Sequence, residues 1–309
     1  MLWAGFIVFV LAMLVIDLGV FHRKAHEVSL KEAGIWSAVW VALAVAFNIG
    51  VYMWFGPERG FEFTTGYLIE KALAVDNIFV FVVIFAAFSI PAIYQHRVLF
   101  WGVLGALVMR AAFILVGGAF LQRFHWAIYV FGAILAVTGV KLLIQRNQEF
   151  HPERNPLVKA FQKLMPVTHE LEGDKFTVLR GGKRYATPLL LSLVAVEVTD
   201  LIFAVDSIPA IFAITTDPFI VFTSNVFAIL GLRSLYFLLA GVITKFVYLK
   251  VGLSVVLIFV GAKMLLMDFY KVPIFASLGI IAGILALSIV VSLLKPPNAS
   301  LTGPVKDAS

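Results

Sequence analysis

Glu70-Lys-Ala-Leu-Ala-Val-Asp76-Asn77 and Asp200-Leu-Ile-Phe-Ala-Val-Asp206-Ser207 decide how this chain is read. Each carries two carboxylates six residues apart, deep in a hydrophobic stretch, and Glu197 stands three residues before Asp200. A carboxylate in hydrocarbon costs about 2.5–3.5 kcal/mol on insertion scales, so it rarely persists there without a use. Repeated buried acids predict a pathway for cations.

The surroundings are a membrane. Hydrophobic residues make up 61% of the 309 and charged residues only 14%, against about one quarter charged in a soluble domain. Apolar runs reach about 20 residues, the length that crosses ~30 Å of hydrocarbon. The fold class is all-α and polytopic, since a β-barrel would show ~10-residue alternating segments. With no cysteine, the chain has no thiol for disulfides, metal ligation or redox chemistry. The net charge of +6 lies mostly in loops. There it sets topology, so the lipid bilayer is the expected partner and nucleic acid is not. Met-Leu-Trp-Ala-Gly at the N-terminus has no basic leader and reads as the first span, not a signal peptide.

Nine transmembrane helices are expected, at about 2–21, 36–55, 67–88, 98–118, 126–145, 187–213, 219–242, 248–267 and 274–294. With the N-terminus outside, inner loops hold sixteen basic residues and outer loops three. That positive-inside bias leaves the C-terminus in the cytoplasm. Residues 1–295 form one transmembrane domain with a cytoplasmic loop at 146–186. Within it, 156–165 is amphipathic enough to lie on the membrane surface. Residues 176–185 read as a hairpin turning at Gly181-Gly182. The tail 296–309, opening on Pro296-Pro297, is expected to be disordered.

The acids belong to a longer repeat. Gly105-Ala-Leu-Val-Met-Arg110 resembles Ala228-Ile-Leu-Gly-Leu-Arg233, and Gly139-Val-Lys141 resembles Gly261-Ala-Lys263. Acidic pair, arginine and lysine recur in order, at offsets of 130, 123 and 122 residues. Repeat one covers about 67–145 and repeat two about 187–267, three spans each. An odd number of spans makes consecutive repeats enter the membrane from opposite faces. Many secondary transporters share that inverted plan, with substrate held near the midplane.

The candidate metal ligands are Glu70, Asp76, Asn77, Glu197, Asp200, Asp206 and Ser207, all oxygen donors. Such a set suits hard cations, Mn²⁺, Mg²⁺ or Ca²⁺, more than copper or a thiolate zinc site. On an ideal helix six residues turn about 600°, so Glu70 and Asp76 point about 120° apart. Convergence then needs broken or central helices, with Pro91 and Pro209 as candidate disruptors. The competing reading is charge pairing or gating by Asp17, Lys71, Arg110 and Arg233, for instance Arg110 with Asp76 and Arg233 with Asp206. Asn48 is expected to hydrogen-bond between helices, Lys141 and Lys263 to snorkel, and Asn225 to cap a helix rather than line an outer vestibule.

These motifs, with Thr215-Thr-Asp217-Pro-Phe-Ile behind the second, resemble the TerC family of integral membrane proteins and its Alx branch, from about Asp17 to Tyr270. The resemblance implies a bacterial inner-membrane protein linked to manganese export and alkaline pH, with metal bound by the motif acids. It also implies associations with tellurium resistance and redox modulation. The leading expectation is a Mn²⁺ exporter working by alternating access, with Mn²⁺ as cargo, no organic cofactor and no enzymatic activity. The alternative is a membrane-embedded stress or redox-modulating interaction protein whose charges pair structurally. An intramembrane aspartyl protease using Asp76 and Asp206 is disfavoured, because no Gly-x-Gly-Asp signature accompanies them.

Overall fold

A computed structural model describes residues 2–19, 29–124, 126–144, 155–168, 170–240, 248–270 and 272–294. Side chains at 16–19, 76, 122 and 206 lie outside that set, so the assignments to Asp17, Asp76 and Asp206 do too, as does the tail. The helices are α1 (Leu2–Gly19), α2 (Leu30–Phe55), α3 (Pro57–Ala87), α4 (Ala92–Arg123), α5 (Ala127–Ile144), α6 (Pro156–Leu164), α7 (Pro188–Phe212), α8 (Pro218–Leu230), α9 (Leu232–Leu239), α10 (Leu249–Leu265) and α11 (Ile274–Leu294). The hairpin forms as expected: β1 (Thr177–Arg180) pairs antiparallel with β2 (Lys183–Ala186). Gly181 and Gly182 supply φ of 56° and 78° at its turn, which side chains tolerate poorly.

Among the described residues each expected span holds helix, with corrected limits. Among the described residues, α2, α4, α5, α7 and α11 are long and apolar enough to cross a bilayer, and the bent pair α8–α9 makes a sixth. For α1 only Leu2–Val15 is described with its side chains, α10 has 17 residues, and α3 carries several charges, so nine crossings are not established by length and composition. α3 begins ten residues before the apolar segment. Pro57 sits in its first turn and Gly56, at φ 89°, makes the reversal from α2, the conformation glycine reaches without a Cβ clash. At 31 residues α3 is about 46 Å long, so its charged first turns outlast the hydrocarbon.

The inverted repeat is visible in how α5 meets α10. A Cβ on Gly139 would lie 2.8 Å from the Ser254 carbonyl oxygen, and one on Gly261 would lie 2.7 Å from the Gly132 oxygen. The offset of 122 residues turns Gly139 into Gly261 and Gly132 into Ser254. Each contact is therefore the image of the other, which is the mark of a two-fold interface. The partner numbers fall as the first chain's rise, so the two helices run antiparallel. The same operation relates two further pairs. α4 packs on α7 through Gly102 against Val196 and Gly117 against Phe212, and α3 packs on α8 through Gly66 against Ser224.

Around this frame lies an aromatic core. Phe47 and Phe227 have ring centroids 4.9 Å apart, with Phe6 and Phe63 against them, tying α1 and α2 to α3 and α8. Asn48 makes its expected inter-helix bond, donating from Nδ2 to Thr64 Oγ1 at 2.7 Å. Tyr236 on α9 donates to Gln95 Oε1 at 2.8 Å, while Gln95 donates to the Ile90 carbonyl at 2.9 Å.

Candidate ion site at the repeat interface

Glu70 comes thirteen residues into α3 and Asp200 twelve residues into α7, about 18–20 Å from each helix start. Both lie well inside their helices, and both are buried, at 0% and 3% exposure. They are repeat equivalents, and they meet on one cation, Arg110 of α4. Its Nη2 donates to Asp200 Oδ1 at 3.0 Å and its Nε to Oδ2 at 3.3 Å, a two-pronged grip. Its Nη1 donates to Glu70 Oε1 and reaches Ser207 Oγ at 3.4 Å. Arg110 is 2% exposed. A buried ion triad survives desolvation only when geometry and extra hydrogen bonds offset it, and this one spans three helices and both repeats.

Arg110 joins Glu70 and Asp200, and the side chain of Asp76, its foreseen partner, lies outside the described residues. Arg233 is buried on α9. The proposed disruptors do not disrupt. α3 runs unbroken through Glu70–Asn77 and α7 through Glu197–Ser207 and past Pro209, because that proline falls in the last turn. Pro91 precedes α4 as its N-cap residue, after Ser89 at φ 52° has turned the chain. The break comes instead at Gly231, where α8 and α9 bend by 40°. It strips carbonyls at the end of α8 of their helical donors, and Lys71 Nζ donates to one of them, Ala228 O, at 3.0 Å. Lys71 therefore caps a broken helix.

Asn225 does not cap a helix either. Asp217 caps α8, its Oδ1 accepting from the Phe219 amide at 2.9 Å. Asn225 lies inside α8 at 1% exposure, with neither amide atom hydrogen-bonded. Three atoms on α3 are also buried and unbonded: the Tyr67 hydroxyl, Glu70 Oε2 and Asn77 Oδ1. Gly66 against Ser224 and Lys71 against Ala228 set α3 and α8 parallel and in register, so Asn225 stands at the level of Tyr67, about one turn from Glu70. Buried polar atoms without partners are rare and call for a water, an ion or a function. Tyr67 was not foreseen as a site residue, because a lone phenol in an apolar run carries no sequence signal of its own.

Glu197 sits apart from the triad. It is half-buried on α7 with its carboxylate over Gly105, where a Cβ would come within 2.6 Å of both oxygens. It makes no hydrogen bond or ion pair among the described residues. No three His, Asp or Glu side chains among the described residues form a ready metal centre. At the end where α3 begins, Arg59 donates to Glu62 at 2.7 Å and to Thr215 at 3.2 Å, and lies 3.8 Å from Asp217. That clasp holds α3 to the α7–α8 turn.

An inverted-repeat helical membrane protein with buried carboxylates from both halves on one arginine is the class defined by this fold and site. The chain belongs to the integral membrane protein TerC family, whose family model matches residues 55–300. It is 61% identical over 307 residues to an uncharacterised membrane protein, STKORF319, of Myxococcus xanthus, covering 99% of this chain and 95% of that one. It is 49% identical to a protein of Salmonella typhi, and 48% identical to one of Escherichia coli K12. Both are provisionally named membrane-bound redox modulator Alx, and both alignments cover 94% of each chain. No solved structure matches the chain.

Proposed function

We propose that this protein exports a divalent cation, Mn²⁺ first among Mn²⁺, Mg²⁺ and Ca²⁺, across the bacterial inner membrane by alternating access, in exchange for protons. In this reading it is a carrier and not an enzyme, with its N-terminus outside and its C-terminus in the cytoplasm. The supporting observation is the meeting of Glu70 and Asp200, equivalent acids of two inverted halves, at one buried point. Substrate sites of inverted-repeat transporters lie at such a point. Two carboxylates balance a divalent charge, and the unbonded oxygens of Glu70, Asn77, Asn225 and Tyr67 are donors a hard cation accepts.

The test is Mn²⁺ flux into vesicles reconstituted with the full chain under an imposed pH gradient. The Glu70→Gln/Asp200→Asn variant, folded and inserted, is expected to carry no Mn²⁺ above protein-free vesicles. Wild-type flux through that variant removes the reading.

A second reading has support in the saturated ion pairs on Arg110 and in the name of the Alx relatives: a membrane-embedded stress or redox-modulating interaction protein with structural charges. It predicts a melting temperature indifferent to Mn²⁺. A cargo that binds the folded state raises it by mass action.

A further inference from the structure

Arg110 occupies the place a cargo cation would take, and a second acid waits beside it. Resting on the cation reading above, we propose that Arg110 is a tethered counter-cation with two docks: the Glu70–Asp200 pair when the site is empty, and Glu197 when cargo is bound.

Charge drives the exchange. Glu70 and Asp200 carry two negative charges and Arg110 one positive, so the described triad is one charge short of neutral. A divalent cation neutralises the two carboxylates, and because Arg110 holds both oxygens of Asp200, a cation that takes Asp200 as a ligand competes with the guanidinium for it. Arg110 must then leave, and a buried arginine without a counterion is prohibitive.

Geometry supplies the destination. α4 and α7 run parallel, with Gly105 against Glu197 and Arg110 against Asp200. Glu197 and Asp200 share a face of α7, about 4.5 Å apart along its axis. A guanidinium turning one helical step down α7 leaves Asp200 and reaches Glu197. Gly105 keeps the way open, since any Cβ there would collide with the Glu197 carboxylate. Glu197 makes no hydrogen bond or ion pair among the described residues. The repeat equivalent of Glu197 is Tyr67, at the same offset of 130 residues that joins Asp200 to Glu70. The second dock therefore exists in one half only, and the exchange has a side.

Mn²⁺ affinity of the full chain in lipid nanodiscs tests this, with Mn²⁺ itself as the probe, for wild type, Arg110→Ala, Glu197→Gln and the double variant. A competitor that fills the site nine-tenths of the time weakens apparent affinity about tenfold, so Arg110→Ala is expected to bind about tenfold tighter. Glu197→Gln deprives Arg110 of its second dock and binds more weakly. In the Arg110→Ala background the same change has no effect. Free guanidinium should compete with Mn²⁺ in Arg110→Ala beyond a sodium control.

The proposal is overturned if Arg110→Ala binds no tighter than wild type. It is also overturned if Glu197→Gln weakens binding equally in both backgrounds, which would make Glu197 a direct ligand. If none of the four binds Mn²⁺, the cation reading itself fails and this falls with it. Should Arg110→Ala not fold, Arg110→Lys keeps the charge but loses the two-pronged grip. It too must bind tighter than wild type, and equal or weaker binding overturns the proposal.

Discussion

Replacing Gly261 by alanine strikes the seam on which the two halves are related. The new Cβ would lie 2.6 Å from the Ala136 nitrogen and 2.7 Å from the Gly132 oxygen, both backbone atoms of α5. No flexible side chain can yield, so α5 and α10 must part by several tenths of an ångström. Overpacking of this kind costs about 1–3 kcal/mol, and with two backbone collisions at once the upper half, about 2–3 kcal/mol, is expected. Gly139→Ala meets Ser254 O at 2.8 Å and Ile258 N at 2.9 Å, the image contact, and should cost the same. One separation of the helices relieves both clashes, so the double variant should fall short of additivity by at least about 0.5 kcal/mol. Reversible unfolding in mixed detergent micelles measures all three. Gly283→Ala on α11, with nothing within 4 Å, serves as the control and should be neutral or stabilising by up to about 1 kcal/mol. If Gly261→Ala is as stable as Gly283→Ala, the close antiparallel seam is wrong, and the two-fold relation argued from it fails.

Gly105→Ala collides with the mobile end of Glu197 and not with backbone. It should cost under about 1 kcal/mol in stability while reducing Mn²⁺ flux, and unaltered flux would show that the position of Glu197 is immaterial. Asp200→Asn breaks the buried grip of Arg110 and should destabilise by about 3–5 kcal/mol, read as a lowered melting temperature; a change below 1 kcal/mol would mean the pair is hydrated. Tyr236→Phe leaves Gln95 Oε1 without its donor and should cost about 1 kcal/mol, measured by the same unfolding assay.

Much of the site could be read from particular residues, and some could not. Glu70, Asn77, Asp200 and Ser207 were legible because a polar group in hydrocarbon is conspicuous, and its recurrence at a shared offset more so. The pairing was not. Glu70 pairs with Arg110, and six residues turn a helix through well over a full circle. Which acid faces α4 depends on how α3 is rotated in the bundle, and no local pattern reports that. The break at Gly231 carries no signal as plain as a proline, while a proline in a last turn or before a first one disrupts nothing. The opening turns of α3 were left out of their helix because Glu58, Arg59 and Glu62 look like a loop when hydropathy is the only guide.

Composition and order along the chain were enough to settle that this is a helical membrane protein, and they predict two related halves of opposite sense. Those readings are sums and parities: the hydrocarbon cost of each segment, and the odd number of spans expected in each repeat. Only the tertiary structure decided that equivalent acids meet on one arginine, that Lys71 caps a helix end and that Glu197 stands apart over a glycine. Those depend on helix rotation and register, which the packing of distant segments imposes and which no stretch of sequence carries alone.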